Sequence, residues 1–128
     1  MNVPQDLKYS ENHEWIFIGD DDTVLIGVTD FAQESLGSVT FIELPWDEAE
    51  FKKGDTWGVI ESANGMLNLS APLSGIVLEV NPDIESNPEI LNDDPYQLGW
   101  LIHLQLTNPE ELNRLLTPQA YQKLCTAD

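Results

Sequence analysis

The sequence predicts a mainly β domain, a small barrel or sandwich that carries short helices. Turn-forming clusters recur at short intervals, at Gly19-Asp20-Asp21-Asp22, Gly37-Ser38, Lys53-Gly54-Asp55, Asn64-Gly65, Ser74-Gly75 and Asn81-Pro82-Asp83. Between them lie short runs of β type, the pattern of many strands joined by regular turns. The 128 residues suit one domain, residues 1–128, because two cores would be hard to build from so little chain.

Taken in order, Glu14–Ile18 and Thr23–Thr29 read as a hairpin across the acidic turn. Asp30 followed by Gln33 matches a capping box and opens a helix of one or two turns over Phe31–Leu36. Strands follow over Val39–Leu44, Thr56–Ser62, Met66–Ala71 and Gly75–Val80. Asn64-Gly65, set between two of these, is the strongest local hairpin signal. A type I′ turn needs positive φ at both central residues, and Asn and Gly tolerate that best. Both residues are therefore expected at an exposed tip. Trp100–Leu106 alternates, with Trp100, Ile102, Leu104 and Leu106 on one face and His103 and Gln105 on the other. Asn108-Pro109-Glu110-Glu111 starts a helix: Asn caps, Pro takes the first position, and two acids face the positive end of the dipole. Leu112, Leu115 and Leu116 supply its apolar stripe. Thr117-Pro118 begins a second short helix, with Tyr121 and Leu124 facing inward.

Apolar residues are 41% of the chain, and four Trp, four Phe and three Tyr are available for a core, which argues against disorder. Asp and Glu total 23 against 5 Lys and Arg, a net charge of −18. Such a surface repels phosphate backbones and anionic lipid, so neither nucleic acid nor a membrane is an expected partner. A protein with a basic surface is the natural complement. No apolar run reaches the roughly 18 residues of a transmembrane helix. Met1–Asp6 shows neither a basic flank nor an apolar core of a signal peptide. The single Cys125 cannot form an internal disulfide. A cytoplasmic location is expected, although a processed organellar protein would look the same.

Few residues suggest chemistry of their own. His13, His103 and Cys125 have no zinc-site spacing. Asp20-Asp21-Asp22 reads as a solvated turn without the longer pattern of a calcium loop. Asn92-Asp93-Asp94-Pro95 suits a turn or a helix entry, and Glu110-Glu111 is explained by capping. Trp46, Trp57 and Trp100 read as core or groove aromatics, and Trp46, if exposed, as a partner anchor. No Ser-His-Asp or Cys-His pattern and no Gly-rich phosphate loop occurs, so independent catalysis is not expected.

Several longer motifs carry a resemblance. His13-Glu14-Trp15, the run Gly27–Gly37, Phe41-Ile42-Glu43-Leu44-Pro45, Glu61-Ser62, Ala71-Pro72-Leu73-Ser74-Gly75, Asn92-Asp93-Asp94-Pro95-Tyr96 and Gly99-Trp100-Leu101 resemble the H protein family of the glycine cleavage system. The similarity runs in order from about Leu7 to Leu124. It implies a barrel-sandwich hybrid of lipoyl-domain type, with a C-terminal helical extension. In the family a hairpin-tip lysine carries lipoate, which shuttles an aminomethyl group between glycine decarboxylase and aminomethyltransferase and is reoxidised by dihydrolipoamide dehydrogenase.

At that tip the chain departs from the family. Where the family reads roughly Glu-Ser-Val-Lys-Ala-x-Ser-Asp, this sequence reads Glu61-Ser62-Ala63-Asn64-Gly65-Met66-Leu67-Asn68. The ungapped resemblance places the lipoyl lysine on Asn64, and no lysine lies between Lys53 and Lys123. A carboxamide cannot replace an amine in amide formation with lipoate, so no cofactor is expected. The family acid four residues on falls on Asn68, which removes a negative partner for a cationic aminomethyl group. Ala63, Gly65 and Met66 differ as well, which suggests a diverged paralogue with a remodelled tip. Glu14 remains from the cleft-side motif. A biotinyl domain also needs a tip lysine, usually flanked by methionines, and Met66 alone does not meet that requirement.

The resulting expectation is a non-lipoylated interaction or regulatory module, whose partner is a glycine cleavage or lipoate-metabolism enzyme or a member of an unrelated assembly. Two alternatives stand beside it. One is a carrier with a non-standard attachment site, for which Lys52 and Lys53 in the Lys-Gly-Asp turn are the candidates. The other is a small ligand-binding protein that uses a cleft near Glu14.

Overall fold

The computed structural model describes residues 1–126; residues 127 and 128, included in the expected domain, lie outside the described residues. Among the described residues nine strands form two antiparallel sheets. They are β1 Lys8–Tyr9, β2 Glu14–Ile18, β3 Thr23–Val28, β4 Val39–Glu43, β5 Glu50–Phe51, β6 Thr56–Ser62, β7 Gly65–Ser70, β8 Gly75–Val80 and β9 Ile102–Leu106. The six-stranded sheet runs β1-β2-β3-β9-β8-β5, and the three-stranded sheet runs β4-β6-β7. Helices are short: α1 Asp30–Leu36, α2 Ile90–Asp93, a 3₁₀ helix over Pro109–Arg114 and α3 Pro118–Thr126. The mainly β architecture read from the turns is the one observed.

Alternation along the strands decides what is buried. Ile16, Val24, Ile26, Ile102 and Leu104 from the large sheet meet Ile42, Trp57, Ile60 and Leu69 from the small one in a single apolar core. On the other side of the large sheet, Leu7, Tyr9, Trp15 and Tyr121 form a smaller cluster. There the Tyr9 and Tyr121 rings stack with centroids 4.6 Å apart, which docks α3 onto β1. Trp15 is paired with Gly27 across β2 and β3. A Cβ at Gly27 would lie 2.5 Å from the Trp15 ring, so only glycine admits the indole at that position.

Several local expectations are corrected. The type I′ turn lies at Asp21-Asp22, with φ of 55° and 58°, and not at Asn64-Gly65. Thr23 N donates to Asp20 O to close that turn, and Gln105 Nε2 donates to the carbonyls of both Asp21 and Asp22. At the other hairpin Ser62 pairs with Gly65, so the two tip residues are Ala63 and Asn64. Of the expected pair only Gly65 has positive φ, at 133°. Tertiary bonds prevail over turn propensity there: Ala63 N donates to Ser38 O, and Asn64 Nδ2 donates to Ser35 O.

The helix starts shift too. Thr29, not Asp30, is the N-cap of α1: its Oγ1 accepts from Ala32 N, while Asp30 Oδ1 accepts from Gln33 Nε2. Asn108 precedes the 3₁₀ helix without a side-chain capping bond. The Glu111 carboxylate turns away from its own helix and accepts from Ser74 N and Ser74 Oγ, so it pins the 71–75 turn and does not merely complement a dipole. Leu124 is 41% exposed and does not face inward. The two-residue strands β1 and β5 have no counterpart in the sequence reading.

Asn92 joins three elements. Its Oδ1 accepts from Val39 N at the start of β4, and its Nδ2 donates to Gly37 O and Gln33 Oε1 at the end of α1. Replacing Asn92 with Ala strands the Val39 N–H in a part-buried position, at a cost of about 1–3 kcal/mol. Urea denaturation should show a lower midpoint for Asn92→Ala with an unchanged slope. A midpoint equal to the parent's would remove this residue from the supports of α1.

Candidate functional site

The hairpin tip lies against α1, and a cleft of about 200 Å³ opens between them. Phe31, Ala32 and Leu36 of α1 form one wall, Asn64–Leu67 the other, and Asn12 and His13 close the end. Asn64 is exposed, yet its side chain folds back and does not project: Nδ2 reaches Ser35 O at 3.1 Å. That carbonyl belongs to the last turn of α1, where carbonyls lack helical donors. Ser62 Oγ completes the tip by accepting from Asn64 N and donating to Gly65 O.

His13 takes a positive φ of 67°, which turns its ring out of line with β2 and onto Phe31, with centroids 4.7 Å apart. Its Nδ1 lies 2.8 Å from Tyr121 OH, which in turn lies 2.6 Å from Thr29 Oγ1. Burial holds the imidazole below its ordinary pKa, so the neutral ring is favoured at physiological pH. Burial likewise pushes the Tyr121 phenol up, out of reach of ordinary titration. His13 is the one titratable group on the cleft wall, and no carboxylate joins it there. Among the described residues no three His, Cys, Asp or Glu side chains are grouped to hold a metal. The cleft can hold a small, largely apolar group against neutral hydrogen-bonding partners.

Glu14 does not line this cleft. It has no solvent exposure and lies between the sheets, where Oε1 accepts from Ser10 Oγ at 3.0 Å and Oε2 from Trp57 Nε1 at 3.0 Å. Burial pushes its pKa up to about 8, against the pull of the two hydrogen-bond donors. Asn68 is exposed on β7 opposite Val59, away from the cleft wall. Lys52 and Lys53 occupy the exposed turn before β6, at the opposite end of that strand from Asn64. His103 is half-buried on β9 between Leu25 and Glu79. Trp57 is a core residue, Trp100 lines a separate groove with Trp15, Phe17 and Tyr96, and Trp46 is 78% exposed.

Sequence reasoning singled out the tip but missed its receiving surface. Phe31, Tyr121 and the Ser35 carbonyl come from α1 and α3, and no local pattern ties them to the hairpin. The adjacency of His13 to Glu14 was the available signal, since His13 stands outside β2 at positive φ and so does not share the core position of its neighbour.

Two antiparallel sheets, the smaller carrying the β6–β7 hairpin, with a C-terminal helix against the larger one, define a lipoyl-domain-like barrel-sandwich hybrid. A family model described as Glycine cleavage H-protein matches residues 7–128. The glycine cleavage system H protein of Carboxydothermus hydrogenoformans is 49% identical over 122 residues, covering 95% of this chain and 93% of that relative. That of Chromohalobacter salexigens is 46% identical over 127 residues, covering 99% and 97%. The crystal structure of a glycine cleavage system H protein from Mycobacterium marinum superposes with a TM-score of 0.86 at 36% identity, covering 93% of this chain and 95% of that one. The chain belongs to the glycine cleavage H-protein family.

The buried Glu14 makes stability depend on pH with a definite sign. Its folded pKa of about 8 exceeds the ordinary carboxylate value, so the folded state binds the proton more tightly. Its contribution is greatest below the unfolded pKa and is lost as pH rises through about 8. Glu14→Gln, neutral at every pH, should flatten the decline in unfolding free energy between about pH 5 and 8. Denaturant melts across that range measure the slope, and identical slopes for parent and variant would refute the assignment.

Proposed function

We propose that this H-protein homologue carries no lipoyl arm and acts as a non-catalytic interaction or regulatory module. The observation behind this reading is Asn64. The resemblance puts the family's lipoyl lysine there, and the carboxamide offers no amine for amide formation with lipoate. Its side chain is also spent on the Ser35 carbonyl and does not reach outward. The expected partner has a basic surface that complements the net charge of −18, and a glycine cleavage enzyme or an enzyme of lipoate metabolism is the candidate. The lone, free Cys125 suits a reducing compartment, which on this reading is the cytoplasm. Among the described residues no helix is long and apolar enough to cross a membrane.

Neither alternative gains a specific support. Lys52 and Lys53 stand one strand length, about 20 Å, from the tip and its cleft. Glu14, enclosed between the sheets, offers no carboxylate to a ligand.

Incubation with lipoate ligase, ATP and lipoate should leave the intact mass unchanged, while a lysine-bearing H protein in the same reaction gains one lipoyl group. A lipoyl adduct on this chain would overturn the reading. Docking is tested separately by surface plasmon resonance against aminomethyltransferase and lipoate ligase. The screening length falls from about 30 Å at 0.01 M salt to about 10 Å at 0.1 M, so the association rate should drop steeply over that range. Neutralising Glu34 and Glu61 beside the hairpin should slow association more than neutralising Asp20 and Asp21 at the far turn. No saturable binding to either enzyme at low salt would eliminate both as partners.

A further inference from the structure

Asn64-Gly65 is the one Asn-Gly pair in the chain. An asparagine side chain can cyclise when the next backbone nitrogen reaches its carboxamide carbon. The attack needs an N–H, little crowding at the next residue, and access to water. Asn81, Asn87 and Asn108 each precede proline, which has no N–H. Asn12, Asn68 and Asn113 are exposed, but His13, Leu69 and Arg114 follow them and place a side chain beside the attacking nitrogen. Gly65 has no Cβ, and nothing lies within 4 Å of where one would be. Asn64, at the tip, and Gly65, the first residue of β7, are both exposed, and the φ of 133° at Gly65 is available to few other residues.

We propose that Asn64-Gly65 is a self-modification site, where ring closure turns the tip carboxamide into a carboxylate and releases the hairpin from α1. The Gly65 nitrogen gives its proton to solvent base and bonds to Asn64 Cγ. The Cγ–Nδ2 bond breaks, and the nitrogen leaves as ammonia after taking a proton from water. Water then opens the succinimide. Attack at the main-chain carbonyl carbon gives isoaspartate, and attack at Cγ gives aspartate. The net reaction consumes one water, releases one ammonia and involves no oxidation.

Either product lacks the N–H that Asn64 Nδ2 now donates to Ser35 O. It also places a negative charge at the C-terminal end of α1, where the backbone carbonyls are already electronegative and Glu34 lies one residue from the lost acceptor. The tip loses its bond to α1 and is repelled from it, which opens the cleft between Phe31 and Met66. Cyclisation at Asn64 does not depend on whether the tip accepts lipoate.

The test ages the full-length protein at physiological temperature over a series of mildly alkaline pH values. Tip peptides are then mapped by mass spectrometry and by isoaspartate-specific enzymatic methylation. The Asn64 peptide should lose its amide ahead of every other asparagine, faster as pH rises, and become a methyl acceptor. Asn64→Gln, whose longer side chain closes a less favourable ring, should remove both signals. Separately, Asn64→Asp should raise hydrogen exchange at the Ala63 N–H, now bonded to Ser38 O, by about fivefold, the effect of one lost hydrogen bond. An intact Asn64 amide while Asn12 or Asn68 converts would overturn the modification site. Unchanged Ala63 exchange in Asn64→Asp would overturn the release of the hairpin.

Discussion

Glu14 lies between the two sheets without exposure and gives one carboxylate oxygen to Ser10 Oγ and the other to Trp57 Nε1. Ser10 precedes β2 and Trp57 belongs to β6, so the carboxylate ties the large sheet to the small one. Leaving either of its oxygens unpaired in that buried position would cost about 1–3 kcal/mol. The two sheets are therefore held in one relative placement. From it both sides of the cleft follow. His13, one residue before Glu14, must leave the core face, and its positive φ carries the ring to Phe31. Trp57, near the start of β6, fixes the line along which that strand runs to the tip.

At the tip the same economy of hydrogen bonds recurs. A seven-residue helix such as α1 ends with several carbonyls that lack helical partners. Gly37 N serves the Gln33 carbonyl, Asn92 Nδ2 serves that of Gly37, and Asn64 Nδ2 serves that of Ser35. Two asparagines from distant segments thus finish what the helix cannot finish itself. One side chain cannot both hold the Ser35 carbonyl and extend into solvent as an arm. On the proposed reading, Asn64 holds the tip where a lysine would have extended.

The strands were legible because alternation is local: Ile102, Leu104 and Leu106 reveal their common face without knowledge of a partner, whereas Trp100, expected to share it, precedes β9 and packs with Trp15 and Tyr96 on the other side of the sheet. The strands β1 and β5 were not, because two residues carry no periodicity and exist only through pairing with β2 and β8. The capping residue of α1 was misread by one position, since Thr29 and Asp30 are both good caps and burial of Thr29 against Tyr121 decides between them. Turn propensity failed in an instructive way. Asn64-Gly65 has the stronger type I′ composition, yet Asp21-Asp22 adopts that turn because Gln105 from β9 braces its carbonyls. The tip was legible from sequence to within one residue, whereas its tie to Ser35 and the His13–Tyr121–Thr29 chain depend on packing between remote elements.

The excess of acid has more than one role, and separating them narrows where a partner can dock. Asp21, Asp22 and Glu48 stand at positive φ, where Asp is among the better-tolerated side chains. Asp30 accepts from Asn2 N and Gln33, Asp55 from Lys52 N, Asp94 from Leu98 N, and Glu111 from Ser74. The carboxylates of Asp30, Asp55, Asp94 and Glu111 are committed to the fold. Glu61 is different: it is exposed on the small sheet and paired on one side with Phe41 and on the other with Met66. Phe41 is 50% exposed and Met66 66%, so this row presents an acid between two apolar side chains next to the hairpin tip. Long-range charge governs how often a basic partner arrives, and short-range apolar contact governs how long it stays. On the proposed reading of a docking module, that row combines both beside the tip, which favours the outer face of the small sheet over the acidic turns of the large one.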